Sequence, residues 1–143
     1  MSKPYDAVAL AGRILIGGLF LMSGLSKLAA PGATQGYIAS VGLPAPVVAF
    51  AVAAAVETLG GALLIAGVRT RLVAIGLAGF TLATAVIFHN NFADQNQMIH
   101  FMKNIAIVGG LLQVVAFGGG KFAVDALLAR RSGAQAGSRL QSA

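Results

Sequence analysis

Three ionisable side chains lie inside long apolar runs of this sequence: Arg13, Glu57 and Lys103. An ionisable group in hydrocarbon costs roughly 2.5–3.5 kcal/mol on insertion scales, so such residues usually face the interior of a helix bundle and often mark a functional site. A carboxylate beside a guanidinium can accept or relay a proton, and an ammonium can donate hydrogen bonds to a carbonyl oxygen. We therefore take Glu57 and Arg13 as the candidate catalytic residues.

Further polar side chains cluster towards one end of the apolar runs and are the candidate ligand-binding residues: Lys27, His89, His100, Lys103 and Asn104. The last three share one face of a helix, so a polar cavity is expected there, with Arg13 and Glu57 at its floor. Alternatively, Lys27 could extend its ammonium to the interface, and both histidines could be interfacial residues in contact with water. Two histidines without a carboxylate at fixed spacing are a weak signal, so no metal site is predicted.

The elements that position these residues are four apolar segments, at about 7–28, 46–67, 72–88 and 98–117. Each has about the 20 residues that a helix needs to cross the hydrocarbon of a bilayer. Hydrophobic residues make up 57% of the chain and charged residues only 10%. The sequence therefore predicts an all-α fold, an integral membrane four-helix bundle surrounded by lipid. Residues 1–129 form the transmembrane domain, and the polar segment 130–143 is expected to be a flexible cytoplasmic tail.

Positive charges outside the apolar segments are unevenly distributed. Lys3 precedes the first segment, Arg69 and Arg71 join the second to the third, and Lys121 with further arginines follows the fourth. The positive-inside rule then places the N-terminus and the C-terminus in the cytoplasm and the other two loops outside. The first of those loops is rich in Gly and Pro around a short interfacial helix that carries Tyr37.

Simple depth estimates make an ion pair between Arg13 and Glu57 feasible. If Lys27 and Pro46 both lie at the outer boundary, Arg13 lies about 21 Å and Glu57 about 16 Å below it, whereas Lys103 lies about 8 Å deep. An arginine side chain can span the difference between the first two. Two interpretations of this pair remain open, one chemical and one in which it only fixes the packing of the helices.

Two classes of function are disfavoured by composition. The chain contains no cysteine, which excludes disulfides, thiolate metal sites and redox cycles of its own thiols. The net charge is +6, yet no basic stretch is interleaved with aromatic residues, so a nucleic-acid partner is not expected.

The order and spacing of several short motifs resemble the DoxX family of bacterial membrane proteins over nearly the whole chain. The motifs are Gly12-Arg13-Ile14, Ser23-Gly24-Leu25-Ser26-Lys27-Leu28, Val41-Gly42-Leu43-Pro44, Val56-Glu57, Gly67-Val68-Arg69-Thr70-Arg71, His89 and Lys103-Asn104. The resemblance implies a four-helix protein of the bacterial inner membrane. Members are commonly described as oxidoreductase subunits, and relatives are proposed to pass electrons from sulfur compounds to quinone.

Three functions are compatible with these residues. In the first, the protein is a subunit of a membrane redox system that binds a quinone or small oxidant through Lys103, His89 or His100, while Glu57 relays protons. The sequence shows no flavin, haem or iron–sulfur motif, so electrons would come from a partner redox protein. The alternatives are a non-catalytic membrane anchor or assembly partner, and a transporter of protons or a small solute.

Overall fold

A computed structural model describes residues 3–141 of the chain, and the surroundings of the side chains for residues 4–133. It contains the helices α1 (Lys3–Ala29), α2 (Pro31–Ser40), α3 (Pro46–Ala66), α4 (Thr70–Phe88), α5 (Gln95–Phe117) and α6 (Val124–Gln141). Of these, α1, α3, α4 and α5 are long and apolar enough to span a membrane. The predicted all-α membrane bundle of four spanning helices is confirmed.

The helix boundaries differ from the sequence prediction where polar residues cap a helix. Helix α5 begins at Gln95, because the Asp94 carboxylate accepts hydrogen bonds from the backbone N–H groups of Asn96 (2.8 Å) and Gln97 (3.2 Å). The expected short helix around Tyr37 is α2. The segment expected to be a flexible tail from residue 130 is helical as far as Gln141 in α6, and residues 142–143 lie outside the described residues.

Glycines bring α1 and α3 into close antiparallel contact. A methyl group at Gly17 would lie 2.8 Å from the carbonyl oxygen of Gly61, and one at Gly61 would lie 2.6 Å from the backbone N of Leu21. In lipid, small residues of this kind let helix backbones approach closely and gain dispersion energy. The α1–α3 contact is therefore a tight seam that fixes the register of the two helices.

The four spanning helices enclose an apolar core and leave two polar ends. Phe20, Leu64, Leu77 and Leu111 are buried between them. We call the end that carries Arg69, Arg71 and Lys121 the basic end. The opposite end, formed by α2 and the loop at residues 89–94, is the cavity end.

The α1–α3 seam generates a test with two neighbouring glycines. Gly17→Val places its side chain against Ile65 and Gly61, so we expect a loss of about 1–3 kcal/mol in the free energy of unfolding. Gly18→Val is the matched control, because a methyl group at Gly18 meets nothing within 4 Å. Unfolding in detergent measures both, and equal stabilities of the two variants would show that the seam is not tightly packed.

Candidate functional site

A cluster of three polar side chains joins α1 to α3 near the cavity end. The Lys27 ammonium lies 2.7 Å from the Glu57 carboxylate. Lys27 also donates a hydrogen bond to the Ser23 hydroxyl (2.9 Å), and that hydroxyl donates to the other oxygen of Glu57 (3.2 Å). Glu57 is only 7% exposed, so its charge is balanced almost entirely within this cluster.

Local sequence explains why these three groups meet. Ser23 and Lys27 are one helical turn apart on α1 and therefore point to the same side. Between them lies Gly24, and a methyl group there would clash with Thr58, the neighbour of Glu57. The absent side chain lets α3 come close enough for a short contact between Lys27 and Glu57.

The predicted Arg13–Glu57 ion pair is wrong, because Glu57 is paired with Lys27. The depth estimate placed Lys27 level with Pro46, whereas the contact of Gly24 with Thr58 shows that α3 extends well beyond the end of α1. The first turns of α3 pack against α2 instead. This offset of about 13 Å along the helix axis brings Glu57 level with Lys27 and leaves Arg13 much closer to the other end of α3.

Arg13 lies towards the basic end and serves as a cap for α3. It is 1% exposed, and one guanidinium nitrogen donates hydrogen bonds to the carbonyl oxygens of Leu64 (3.2 Å) and Ile65 (2.6 Å) in the last turn of α3. Carbonyls in the last turn lack the usual N–H partner four residues on, although that of Leu64 also accepts a hydrogen bond from the backbone N–H of Gly67 (3.2 Å). A cation at this position also offsets the helix dipole. Arg13 does not line the cavity described next, so its predicted catalytic role is not supported by its position.

A cavity of about 520 Å³ opens at the cavity end, above the Lys27–Glu57 pair. Its wall comes from five helices and is mostly apolar, with Phe80 and Ile87 of α4 and Val52 of α3 among its residues. Tyr37 of α2 stacks on Phe88, with ring centroids 5.7 Å apart, and this pair forms part of the rim. An apolar chamber with a few convergent polar groups is the usual form of a small-molecule site.

The cavity brings together some of the predicted site residues and not others. Glu57, Lys27, His89 and Asn104 line it. His100 stacks on His89, with ring centroids 5.1 Å apart, without lining the cavity. Lys103 is exposed on the outer side of α5 and does not line it either.

His89 is held in place by a side-chain contact at the rim. Its Nδ1 lies 2.9 Å from the side-chain oxygen of Gln97, at the start of α5. The sequence reasoning missed Ser23 and Tyr37, although the spacing of Ser23 and Lys27 by one helical turn was a usable signal for the first.

Asp125 closes the basic end by capping α4. Its carboxylate accepts hydrogen bonds from the backbone N–H groups of Arg69 and Thr70 (2.7 Å each) and from the Thr70 hydroxyl (2.8 Å). Burial raises the pKa of Asp125, whereas these hydrogen bonds and the nearby charge of Arg13 lower it. The lowering is the larger effect, so the pKa lies below its usual value. Asp125 thereby fastens the start of α6 to the turn between α3 and α4.

Comparison with known proteins agrees with this architecture. The sequence profile of the DoxX family matches residues 8–90. The inner membrane protein YqjF of Escherichia coli strain K12 is 37% identical over 131 residues, which cover 92% of this chain and 99% of that protein. The inner membrane protein YphA of the same strain is 33% identical, over 81% of this chain and 86% of its own length.

A third relative bears a functional name. The protein CatD of Bacillus subtilis strain 168, provisionally named an oxidoreductase, is 36% identical over 87 residues, 61% of this chain and 63% of its own length. No solved structure matches the chain significantly.

The Asp125 cap predicts a pH dependence of stability. Folding lowers the pKa of Asp125. Its contribution to the free energy of unfolding is therefore complete above the ordinary carboxyl pKa of about 4, and it is lost as the pH falls through the lower pKa of the folded protein. We expect Asp125→Asn to be less stable at pH 7 by about 1 kcal/mol, with a difference from the wild type that shrinks in acid. Unfolding measured from pH 7 to pH 3 checks this, and a difference that does not change with pH would contradict it.

Proposed function

The chain belongs to the DoxX family, and we propose that it is a subunit of a membrane redox system that binds the head group of a quinone in its cavity. The observation that carries the proposal is the Lys27–Ser23–Glu57 cluster at the floor of an otherwise apolar chamber. A planar, weakly polar ring fits such a chamber, and its carbonyl oxygens need a hydrogen-bond donor there.

Lys27 is suited to be that donor. An ammonium group has three N–H bonds. One of those of Lys27 donates to Ser23, and its charge is paired with Glu57 at 2.7 Å, so at least one N–H is left for a ligand. Reduction of a quinone carbonyl to a hydroxyl consumes protons as well as electrons. Conversion of a quinone to the hydroquinone takes two electrons and two protons. In our proposal Lys27 donates the proton of the carbonyl oxygen that it contacts and regains one from water through Glu57, while the second oxygen takes its proton from water in the cavity.

The electrons would come from a partner redox protein, because the sequence has no cysteine and no recognisable motif for a redox cofactor of its own. The oxidoreductase name of the Bacillus subtilis relative supports redox work in this family. His89 and Asn104, which also line the cavity, would position the ring.

The proposed membrane orientation places the cavity end outside. The basic end gathers Arg69, Arg71 and Lys121, and cationic loops are retained on the cytoplasmic side. Both termini are then cytoplasmic. The quinone head would then bind at the floor of a cavity that opens to the outside, so that protons reach it through the cavity.

The structural alternative assigns the same ion pair no chemistry. A buried pair can fix helix packing, and removal of one partner leaves an unpaired charge that costs about 3–5 kcal/mol. Under that alternative Glu57→Gln would lower the amount of folded protein. Under the proposed function it would lower ligand binding in protein that still folds.

Binding of a short-chain quinone by the purified protein separates the two. We expect Glu57→Gln and Lys27→Ala to weaken binding about tenfold or more, because each removes a charged hydrogen-bond partner worth about 1.5–3 kcal/mol. Lys103→Ala is the matched control, since that lysine is exposed and outside the cavity. Calorimetric titration in detergent measures the affinity, and unchanged affinity in both cavity variants would overturn the proposal.

Labelling of single cysteines tests the orientation, because the natural chain contains no cysteine. Ser40→Cys lies at the cavity end and Ser132→Cys beyond the basic end, and both positions are exposed. A membrane-impermeant maleimide added to intact spheroplasts should label the first variant and not the second. The reverse pattern would place the cavity end in the cytoplasm.

A further inference from the structure

On the side of α3 and α4 the wall of the cavity is one side chain thick. Val52 and Ile87 line the cavity and are also 53% and 39% exposed, because each also reaches the lipid-facing surface of the bundle. Ala83 of α4 lines the cavity too, and it is small and exposed. The seam between α3 and α4 is therefore the thin part of the wall between the cavity and the hydrocarbon of the bilayer, and we call this level of the seam the opening.

A second cleft lies on the lipid-facing side of the same seam. It has a volume of about 290 Å³, and all its residues are apolar: Ala55, Val56, Leu59, Gly60, Val73, Gly76 and Leu77. A methyl group at Gly76 would meet nothing within 4 Å, so the floor of this groove is open space that a side chain could fill. We call this cleft the tail groove.

The opening and the tail groove follow each other along one seam. Gly60 of α3 lies level with Leu77 of α4, because a methyl group at Gly60 would lie 2.8 Å from the Leu77 side chain. Two turns further along the antiparallel pair, Ala53 lies level with Thr84, and both line the cavity. The groove therefore begins at Ala55, within about 5 Å of the opening along the helix axis, and runs from there towards the basic end.

We propose that the ligand of the cavity is a membrane-dissolved amphiphile that enters laterally between α3 and α4 and lays its apolar tail in the tail groove. This inference rests on the proposed function, because it assigns the tail of the molecule whose head group meets Lys27. A tail that leaves the cavity between Val52 and Ile87 reaches this groove within about one helical turn, on the lipid-facing side of the same seam.

The other seam of α3 offers no such route. Gly17, Gly24 and Gly61 draw α1 and α3 together until a single added methyl group would clash. The difference between the two seams means that a tail can leave the cavity between α3 and α4 but not between α3 and α1. The structure thus assigns the substrate to the class of long-tailed, lipid-soluble molecules.

Photo-crosslinking locates the tail directly. The probe is a quinone whose alkyl tail carries a diazirine, added to purified protein in lipid nanodiscs and mapped by mass spectrometry after illumination. We expect crosslinks on residues 55–60 and 73–77, and their loss when excess unlabelled tailed quinone is present. Labelling spread evenly over the lipid-facing sides of α1 and α5, and not displaced by competitor, would overturn the inference.

Two glycines of α4 supply matched variants. Gly76→Leu fills the tail groove and should abolish these crosslinks, whereas Gly79→Leu has equal room for its side chain, lies outside the groove and should leave them unchanged. Ala55→Leu, on the opposite wall, is a second blocking variant in case Gly76→Leu folds poorly. Equal crosslinking in Gly76→Leu, Ala55→Leu and Gly79→Leu would also overturn the inference.

A quinone without a tail distinguishes failure of the inference from failure of the proposed function. If the tail-less quinone displaces the probe but crosslinks lie outside the groove, only the lateral route is wrong. If no quinone binds the wild-type protein, the proposed function fails and the inference fails with it. If the tail-less quinone still binds Gly76→Leu while groove crosslinks disappear, both are supported.

Discussion

The arrangement of this protein depends on the need to neutralise Glu57 within hydrocarbon. An isolated carboxylate there is costly, and Glu57 is held instead by the ammonium of Lys27 at 2.7 Å and by the hydroxyl of Ser23. This contact requires that α1 and α3 approach closely, which Gly24 permits by carrying no side chain opposite Thr58. The close α1–α3 contact thus permits this polar contact, which places two charges at the floor of the cavity.

The two sides of α3 are packed differently, and the cavity results from that difference. Towards α1 the backbones are in direct contact at Gly17 and Gly61. The contact of α3 with α4 is looser and leaves two spaces. One is the cavity, which Phe80 lines, and the other is the tail groove, which Gly76 lines. A rigid seam that holds the charged groups beside a loose seam that admits a ligand is a reasonable physical basis for binding within a small bundle.

The sequence was sufficient for the fold but only partly for the site. Four apolar segments of membrane-spanning length dictate four helices, because backbone polar groups in lipid must be paired within each segment. Pairing between helices could not be predicted, since the offset between α1 and α3 depends on how far α3 extends beyond Lys27. Because of that offset, Glu57 is paired with Lys27 and not with Arg13 as predicted. Arg13 instead caps the carbonyls of Leu64 and Ile65.

The histidines and Lys103 illustrate the same limit. Helical spacing predicts that His100, Lys103 and Asn104 share one face of α5, but it does not tell which of them faces inward. In the bundle Asn104 lines the cavity, His100 contacts His89 at its mouth, and Lys103 faces outward. The rotation of α5 about its axis decides this, and with that rotation Leu111 is buried in the apolar core.

The most direct test of ligand binding above the Lys27–Glu57 pair uses the absence of tryptophan from the chain. Phe88→Trp places an indole on the cavity wall, and Phe117→Trp places one at the far end of α5, where the native side chain is 69% exposed. Titration with a quinone should quench the first indole to saturation, and Glu57→Gln in the same chain should remove that saturation. The second indole should show only the gradual quenching of a quinone dissolved in detergent. Gradual, unsaturated quenching of both indoles would contradict a binding site at this pair.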